Sequence, residues 1–356
     1  MSRTSQHALS SRPVAATSRG SLLAAELRRL RHRRLVTALM LLGLVALLAT
    51  MAAVFATHST DVEGARATAR QQARQATQEQ RVFAQQCRDD PGIPQTEKDA
   101  GACDFGTVTE DVFFTDPRFR ADQGLPMLAI GVGVGGALLA SLLAATATGA
   151  DWSSRSIITL LSWHPRRVRF FGTRLLAVCL YVAGIGVVAQ ALALGLGSLT
   201  VQLRGTWQAT PRPDPNSGPD GGGLLSSDHL WSDLLTLQLR TLAVMVLVAV
   251  MAVALATVFR STAGVLGVAF GWFAVVEVAV HALLGQRQVV RYMLTDNLAA
   301  ALLPGGTDLY IGQAVTPEGV VTGVVHLSNA MGLGYLAVVA LALCCLAAVL
   351  LRRRDL

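Results

Sequence analysis

The chain has 356 residues, of which 52% are hydrophobic and only 15% are charged, and it carries a formal net charge of +7. This composition excludes an ordinary soluble domain, and the apolar residues also come in long uninterrupted runs. We therefore expect an integral membrane protein.

Six apolar runs are long enough to cross a bilayer, whose hydrocarbon core of about 30 Å takes roughly 20 helical residues. Backbone amides in lipid have no water to bond, so each run is predicted to form a helix. The fold class that follows is an all-α integral membrane protein. The predicted spans are residues 35–57, 126–149, 170–201, 241–259, 262–284 and 326–351.

The segment before the first span is rich in arginine. Residues 1–20 show no hydrophobic period and are predicted to be a disordered cytoplasmic tail. From Ser21 onward leucines recur at helical spacing, with arginines on the opposite face, which predicts an interfacial helix over Leu22–Arg34. A basic flank that only fixes the orientation of the first span is an equal alternative.

Residues 58–124 form the largest predicted loop outside the membrane. Val62–Gln86 is rich in Ala, Gln and Arg and predicts a polar helix, whereas residues 87–106 contain Pro and Gly and predict a loop. Cys87 and Cys103 both fall here, where an oxidising compartment permits a disulfide. The remaining cysteines lie in spans without metal-ligand spacing, so no metal site is predicted. Of the later loops, 204–225 should be flexible and 285–325 mixed, with a short helix around 291–302.

The distribution of charge orients the spans. With the N-terminus in the cytoplasm, 17 of the 30 basic residues but only three of the 23 acidic residues fall on the cytoplasmic side. This agrees with the positive-inside rule and predicts that both termini are cytoplasmic. Topology and membrane lipid then account for the basic excess, so no nucleic-acid partner is expected. The single lysine and abundant alanine indicate a GC-rich genome and hence a bacterial plasma membrane.

A short charged insert, Asp151–Arg174, separates the second and third spans. It is too short for a soluble domain but long enough for one helix lying flat on the cytoplasmic membrane surface. Such a helix would turn Ile157, Ile158, Leu160 and Leu161 toward lipid or a partner, and Arg155, Arg166 and Arg167 toward water.

Glu277 lies inside the fifth span, and His281 follows one turn later on the same face. A carboxylate within a membrane is costly and is by default a functional candidate. Counted from Arg260, however, Glu277 and Arg240 reach similar depths in neighbouring antiparallel helices. The sequence thus predicts a structural ion pair between Arg240 and Glu277, with a substrate or proton site as the alternative.

The chain lacks the residues for its own ATP hydrolysis. A phosphate-binding P-loop needs Gly-x4-Gly-Lys-Ser/Thr, and the single lysine, Lys98, stands in Thr-Glu-Lys-Asp. Protease and hydrolase motifs such as His-Glu-x-x-His and Gly-x-Ser-x-Gly are also absent from the sequence. We expect neither an enzyme nor a cofactor bound by this chain.

The layout resembles the ABC type-2 permease family: a basic interfacial helix, a large outside loop after the first span and a charged insert after the second. In that insert family members carry an acidic-aromatic pair and Gly-Thr, then Leu-Leu-Ser, a Pro with a basic cluster, and Lys at the third span. The corresponding residues are Asp151-Trp152, Leu160-Leu161-Ser162, Pro165-Arg166-Arg167 and Arg174. The insert departs in having Asp for Glu, Arg155-Ser156 for Gly-Thr, and Arg for Lys.

This resemblance implies the permease half of an exporter. A second permease copy or a paralogue would pair with it, and a separate ATP-binding subunit would supply ATP and Mg. The insert would then be a cytoplasmic coupling helix seated on that ATPase, with Asp151, Trp152, Ile157, Ile158, Leu160, Leu161, Arg166 and Arg167 as the coupling residues.

Two other hypotheses compete with the exporter. An ion-driven secondary transporter would work through Glu277 and predicts inverted repeats and several polar residues at mid-membrane, neither of which is visible. A non-transporting scaffold or signalling protein would instead bind a partner through its outside loop. A neighbouring gene for a soluble P-loop ATPase would favour the exporter.

Overall fold

A computed structural model describes residues 19–153, 167–207, 225, 229–285, 287–316 and 319–353. Its helices are α1 (Arg19–Arg31), α2 (Arg34–Thr57), α3 (Val62–Asp89), α4 (Gln95–Asp99), α5 (Glu110–Phe113), α6 (Ala121–Ser153), α7 (Arg167–Arg204), α8 (Leu230–Phe259), α9 (Thr262–Leu284), α10 (Leu294–Leu302) and α11 (Asn329–Arg353). Within these ranges six helices are long and apolar enough to cross a membrane, namely α2, α6, α7, α8, α9 and α11. The prediction of a helical multi-pass membrane protein is confirmed.

Because successive spans alternate in direction, the bundle has two ends. The Asp151 end holds α1, the start of α2, the end of α6, the start of α7, the turn between α8 and α9, and the end of α11. The Glu277 end holds the opposite termini of the spans together with α3, α4, α5 and α10. The predicted disordered tail, residues 1–20, falls outside the described residues except for Arg19 and Gly20, which begin α1.

Helix α8 is the centre of the bundle. Half of its most apolar stretch is buried inside the protein, against 6% for α2 and 11% for α9, whose outward faces are left for lipid. Close packing of α6 brings Gly149 against the α8–α9 turn, where an added Cβ would lie 2.5 Å from the backbone nitrogen of Thr262. Small residues permit this approach of two helical segments, as is common in membrane bundles.

The fourth span is longer than predicted, since α8 begins at Leu230 and not at residue 241. Polar residues in this stretch, among them Asp233 and Arg240, lower its hydropathy and hide it from a search for apolar runs. Leu230, Leu234 and Leu237 nevertheless recur at helical spacing and are buried, so the same helix continues toward the Glu277 end.

The segment before the last span contains a β-hairpin that the predicted mixed loop of residues 285–325 did not include. Strands Thr307–Thr316 and Gly319–Leu327 pair antiparallel, with a register shift at Gly312, whose φ is +69°. Asp308 pairs with His326 in this ladder, so α11 begins at Asn329 and not at residue 326. The short helix expected around 291–302 is present as α10, preceded by a 3-10 turn over Gln288–Tyr292.

Two further features complete the Glu277 end. A two-residue parallel pairing joins Phe119–Arg120, just before α6, to Gly205–Thr206, just after α7. Helix α3 projects from the bundle, packs on α5, and is tied to the loop after α4 by a disulfide between Cys87 and Cys103. The long polar helix predicted for Val62–Gln86 is therefore present in a lobe with its own covalent crosslink.

Candidate functional site

The densest charged cluster among the described residues surrounds Asp151, two residues before the end of α6. The Asp151 carboxylate is 3% exposed and accepts hydrogen bonds from Arg29 on α1 (2.7 Å), from Arg33 in the link between α1 and α2, and from Arg174 on α7. Three elements are thus joined to the end of α6 through one side chain.

Backbone contacts reinforce this cluster. Arg33 also donates to the carbonyl oxygen of Ala147 at 2.8 Å, and Arg174 donates to the same oxygen. Ala147 lies one turn before Asp151, so both guanidinium groups bridge two acceptors on one face of α6. Arg174 is 5% exposed, and its Nη1 has no hydrogen-bond partner among the described residues. A buried guanidinium is tolerated only when paired, which makes Asp151 essential to this arrangement.

Trp152 connects the same region to a fourth element. The Arg260 guanidinium carbon lies 4.7 Å from the centroid of the Trp152 ring, a cation–π contact. Arg260 closes the α8–α9 turn with φ +54°, a left-handed conformation that glycine normally supplies at a helix end. The beginning of the insert is therefore in contact with α1, α7 and the α8–α9 turn.

The structure changes the interpretation of the predicted coupling residues. Asp151 and Trp152 contact the protein's own elements at the Asp151 end and hold them together, and their assignment to ATPase coupling stays a prediction. Arg167 is the first residue of α7. The other predicted coupling residues, Ile157, Ile158, Leu160, Leu161 and Arg166, lie outside the described residues.

At the opposite end of the bundle, Glu277 caps a helix. Its carboxylate is 3% exposed and accepts hydrogen bonds from the backbone nitrogens of Leu294 (2.8 Å) and Thr295 (3.1 Å), and from the Thr295 hydroxyl. These are the first residues of α10, whose initial N–H groups have no partner within their own helix. A negative charge at this position also interacts favourably with the helix dipole.

A local irregularity in α9 directs Glu277 toward α10. Residues Trp272–Glu277 form a π-helical segment, in which hydrogen bonds run from residue i to i+5. This spacing brings the Trp272 indole N–H to the Glu277 carboxylate at 2.7 Å. His281 extends the contact, with Nδ1 2.8 Å from the Glu277 carbonyl oxygen and Nε2 3.0 Å from the Asp296 carboxylate. Glu277 and His281 therefore attach α9 to α10.

The predicted ion pair between Arg240 and Glu277 is not formed. Glu277 is engaged by α9 and α10, and Arg240 makes no ion pair with any residue that the structure describes. The Arg240 Nε is buried and finds no hydrogen-bond partner in the described part of the chain. The prediction rests on equal depth in the membrane, but the Glu277 carboxylate is bound by the first residues of α10.

Sequence reasoning missed a polar contact at the core of the bundle. Gln190 on α7 is 4% exposed and donates from Nε2 to Thr241 Oγ1 on α8 (2.8 Å) and to the Ala129 carbonyl on α6 (3.2 Å). Polar side chains within membrane bundles commonly link helices in this way. The sequence does carry a signal for this contact, because Gln190 is an isolated amide side chain in an otherwise apolar span.

Acidic groups at the Glu277 end differ in their electrostatic environment. Burial raises the pKa of Asp296 above its ordinary value, although contact with His281 lowers it in part. Burial alone would raise the pKa of Asp116 as well, but hydrogen bonds from the side chain and backbone of Arg118 bring the pKa below its ordinary value.

No protein-family model, curated protein or solved structure matches this chain. Within the described residues, no group of three or more His, Cys, Asp or Glu side chains has the arrangement needed to hold a metal ion.

Proposed function

We propose that this protein is the permease subunit of an ABC exporter, which moves an unidentified substrate across the cell membrane with ATP hydrolysed by a separate subunit. The observation that carries the proposal is the position of Asp151. It stands where the insert leaves α6, and it joins that point to α1 and α7 through arginine side chains.

Coupling to an ATPase requires that a push on the insert moves several spans together. Asp151 and Trp152 supply such a connection, because α1, α6, α7 and the α8–α9 turn all meet beside the start of the insert. Charged groups that are paired and mostly buried resist separation, since each would be left uncompensated. Movement of the insert would then tilt these helices as a rigid group, with ATP and Mg bound only by the partner subunit.

Ion-driven transport through Glu277 is not proposed. The Glu277 carboxylate accepts hydrogen bonds from Trp272, Leu294 and Thr295, which satisfies it within the protein. A carboxylate that serves as a helix cap stabilises the fold, and exchange of a transported ion at this group would break the cap. A scaffold role likewise draws no specific support from the described contacts.

Co-purification with a candidate P-loop ATPase tests the proposal. Ile158 and Leu161 are the apolar insert residues that the resemblance assigns to the ATPase contact, so I158D/L161D should abolish both co-purification and substrate-stimulated ATP turnover. The matched control is V82D/V112D, which places the same two charges at exposed positions of the Glu277 end. It should behave as wild type.

An insert variant that still binds the ATPase and supports full turnover would refute the coupling role. A wild-type protein that recruits no P-loop ATPase would refute the exporter proposal as a whole.

A further inference from the structure

The arginines near the start of α2 divide into two groups. Arg29 and Arg33 turn inward to Asp151. The side chains of Arg28, Arg31 and Arg34 are exposed, and none of them forms an ion pair or a hydrogen bond with any residue the structure describes. We call Arg28, Arg31 and Arg34 the outer arginine face.

Packing of α1 fixes the direction of this face. Leu30 is 4% exposed and belongs to the main hydrophobic core, and Leu23 and Leu27 pack against the same core. The apolar side of α1 is therefore covered by the bundle, mainly by α7. Arg28 lies on the opposite side of α1 and Arg31 on its flank, and both side chains are exposed.

The location of the outer arginine face indicates which molecules it contacts. Only His32 and Arg33 separate α1 from α2, and α2 enters the membrane with Leu35, Leu41 and Leu42 exposed to lipid. Arg34 is the first residue of α2 and directly precedes exposed Leu35, and Arg31 ends α1 three residues earlier in the chain. This is the level of phospholipid headgroups, where basic clusters beside a span attract anionic lipids.

We infer that the outer arginine face binds the phosphate of anionic phospholipids such as phosphatidylglycerol. Guanidinium groups donate paired hydrogen bonds to phosphate oxygens, and a net negative headgroup adds an attraction that zwitterionic phosphatidylcholine lacks. Bound lipid would hold α1, and with it the cluster around Asp151, at a fixed height relative to the membrane. The inference does not depend on the transport proposal.

The test is a lipid titration of the full-length protein in mild detergent, with the melting temperature as readout. Phosphatidylglycerol should raise the melting temperature of wild type more than phosphatidylcholine does. R28Q/R31Q/R34Q should lose at least half of that difference, whereas R28K/R31K/R34K, which keeps the charge, should retain most of it. High salt should reduce the difference in wild type.

The matched control is R74Q/R81Q/R287Q, which removes the same charge from exposed arginines at the Glu277 end and should leave the response intact. A full phosphatidylglycerol response in R28Q/R31Q/R34Q overturns the inference, as does an equal loss in the control. If the triple variant does not fold, the three single Gln variants give the readout, and no loss in any of them overturns the inference. Loss of ATPase binding with an unchanged lipid response would assign the face to a protein partner and also overturn it.

Discussion

Asp151 illustrates how one side chain organises an end of the bundle. It accepts from arginines that lie 122, 118 and 23 residues away in the sequence, so its contacts form only after α1, α6 and α7 have packed. Hydrogen bonds between ionised groups are about twice as strong as neutral ones. Their loss is costly here chiefly because Arg174 would remain buried without its counterion.

Replacement of Asp151 by asparagine tests this dependence at the residue scale. D151N keeps the side-chain shape but removes the charge, and we expect a loss of about 3 kcal/mol in unfolding free energy because buried Arg174 loses its counterion. The unfolding midpoint in mild detergent measures the loss. D111N, at an exposed site on α5, should change little; equal stability of D151N and wild type would contradict the role of Asp151.

Asp296 gives a prediction with a defined pH dependence. Burial raises its pKa in the folded protein, so the ionised form is less favourable there than in the unfolded chain. The protonated Asp296 side chain therefore contributes most to stability at pH values below its pKa in the unfolded chain. This contribution is lost as the pH rises through its pKa in the folded protein.

D296N removes this unfavourable charge and can still accept a hydrogen bond from His281. We expect D296N to melt above wild type at neutral pH, and the difference to shrink as the pH is lowered toward 4. Melting curves over that range measure it, and a variant that is less stable than wild type at neutral pH would contradict the prediction.

At the scale of secondary-structure elements, the π-helical segment of α9 and the start of α10 form one unit. A regular α-helix would place Trp272 and Glu277 on different faces. The i to i+5 spacing of the π-helical segment puts them on one face, where the Trp272 indole N–H donates to the Glu277 carboxylate. Gly332 then lets α11 approach α10 closely, with an added Cβ only 2.5 Å from the Asn297 carbonyl oxygen. The carboxylate of Glu277 therefore helps to hold α9, α10 and α11 in one arrangement.

Removal of the Glu277 carboxylate should loosen α10 before the rest of the protein. E277A leaves the first N–H groups of α10 without an acceptor, with an expected loss of about 2 kcal/mol. Amide hydrogen exchange should increase over residues 294–302. E277Q keeps one acceptor oxygen and should lose less, and E79A, at an exposed position on α3, is the control. Unchanged exchange in E277A would show that another group caps α10.

At the scale of the whole molecule, the two ends of the bundle are built from different contacts and elements. The Asp151 end is held by arginines around one carboxylate, and the Glu277 end carries the disulfide-linked lobe and the β-hairpin. A disulfide forms readily in an oxidising compartment, so the crosslink favours the same orientation as the distribution of basic residues, and this orientation stays a prediction.

Labelling with an impermeant thiol reagent tests this orientation. In a background without Cys179, Cys344 and Cys345, a cysteine at exposed Gln72 on α3 should react in intact cells. A cysteine at exposed Arg353, at the end of α11, should react only after permeabilisation. The reverse pattern would invert the topology and remove the basis for a cytoplasmic insert.

Much of the fold was predictable because hydropathy determines which segments enter a membrane. The fifth span was predicted at 262–284 and is observed at Thr262–Leu284. The predicted span boundaries were wrong in two places. One is the start of α8, where polar residues interrupt the apolar run, and the other is the start of α11, which follows the β-hairpin. The start of α8 packs against Phe119, Leu125 and Val201, which are distant in the sequence, whereas the hairpin joins two strands that follow one another in the chain.

The sequence by itself determined depth: which residues cross the membrane, and that Asp151 lies at one end of the bundle and Glu277 near the other. Tertiary structure alone decided the direction of each side chain, since depth along a helix does not specify rotation about its axis. Glu277 and Arg240 were matched in depth, yet packing turned Glu277 toward the start of α10. Asp151 was predicted at the membrane surface, and packing of α1 and α7 enclosed it.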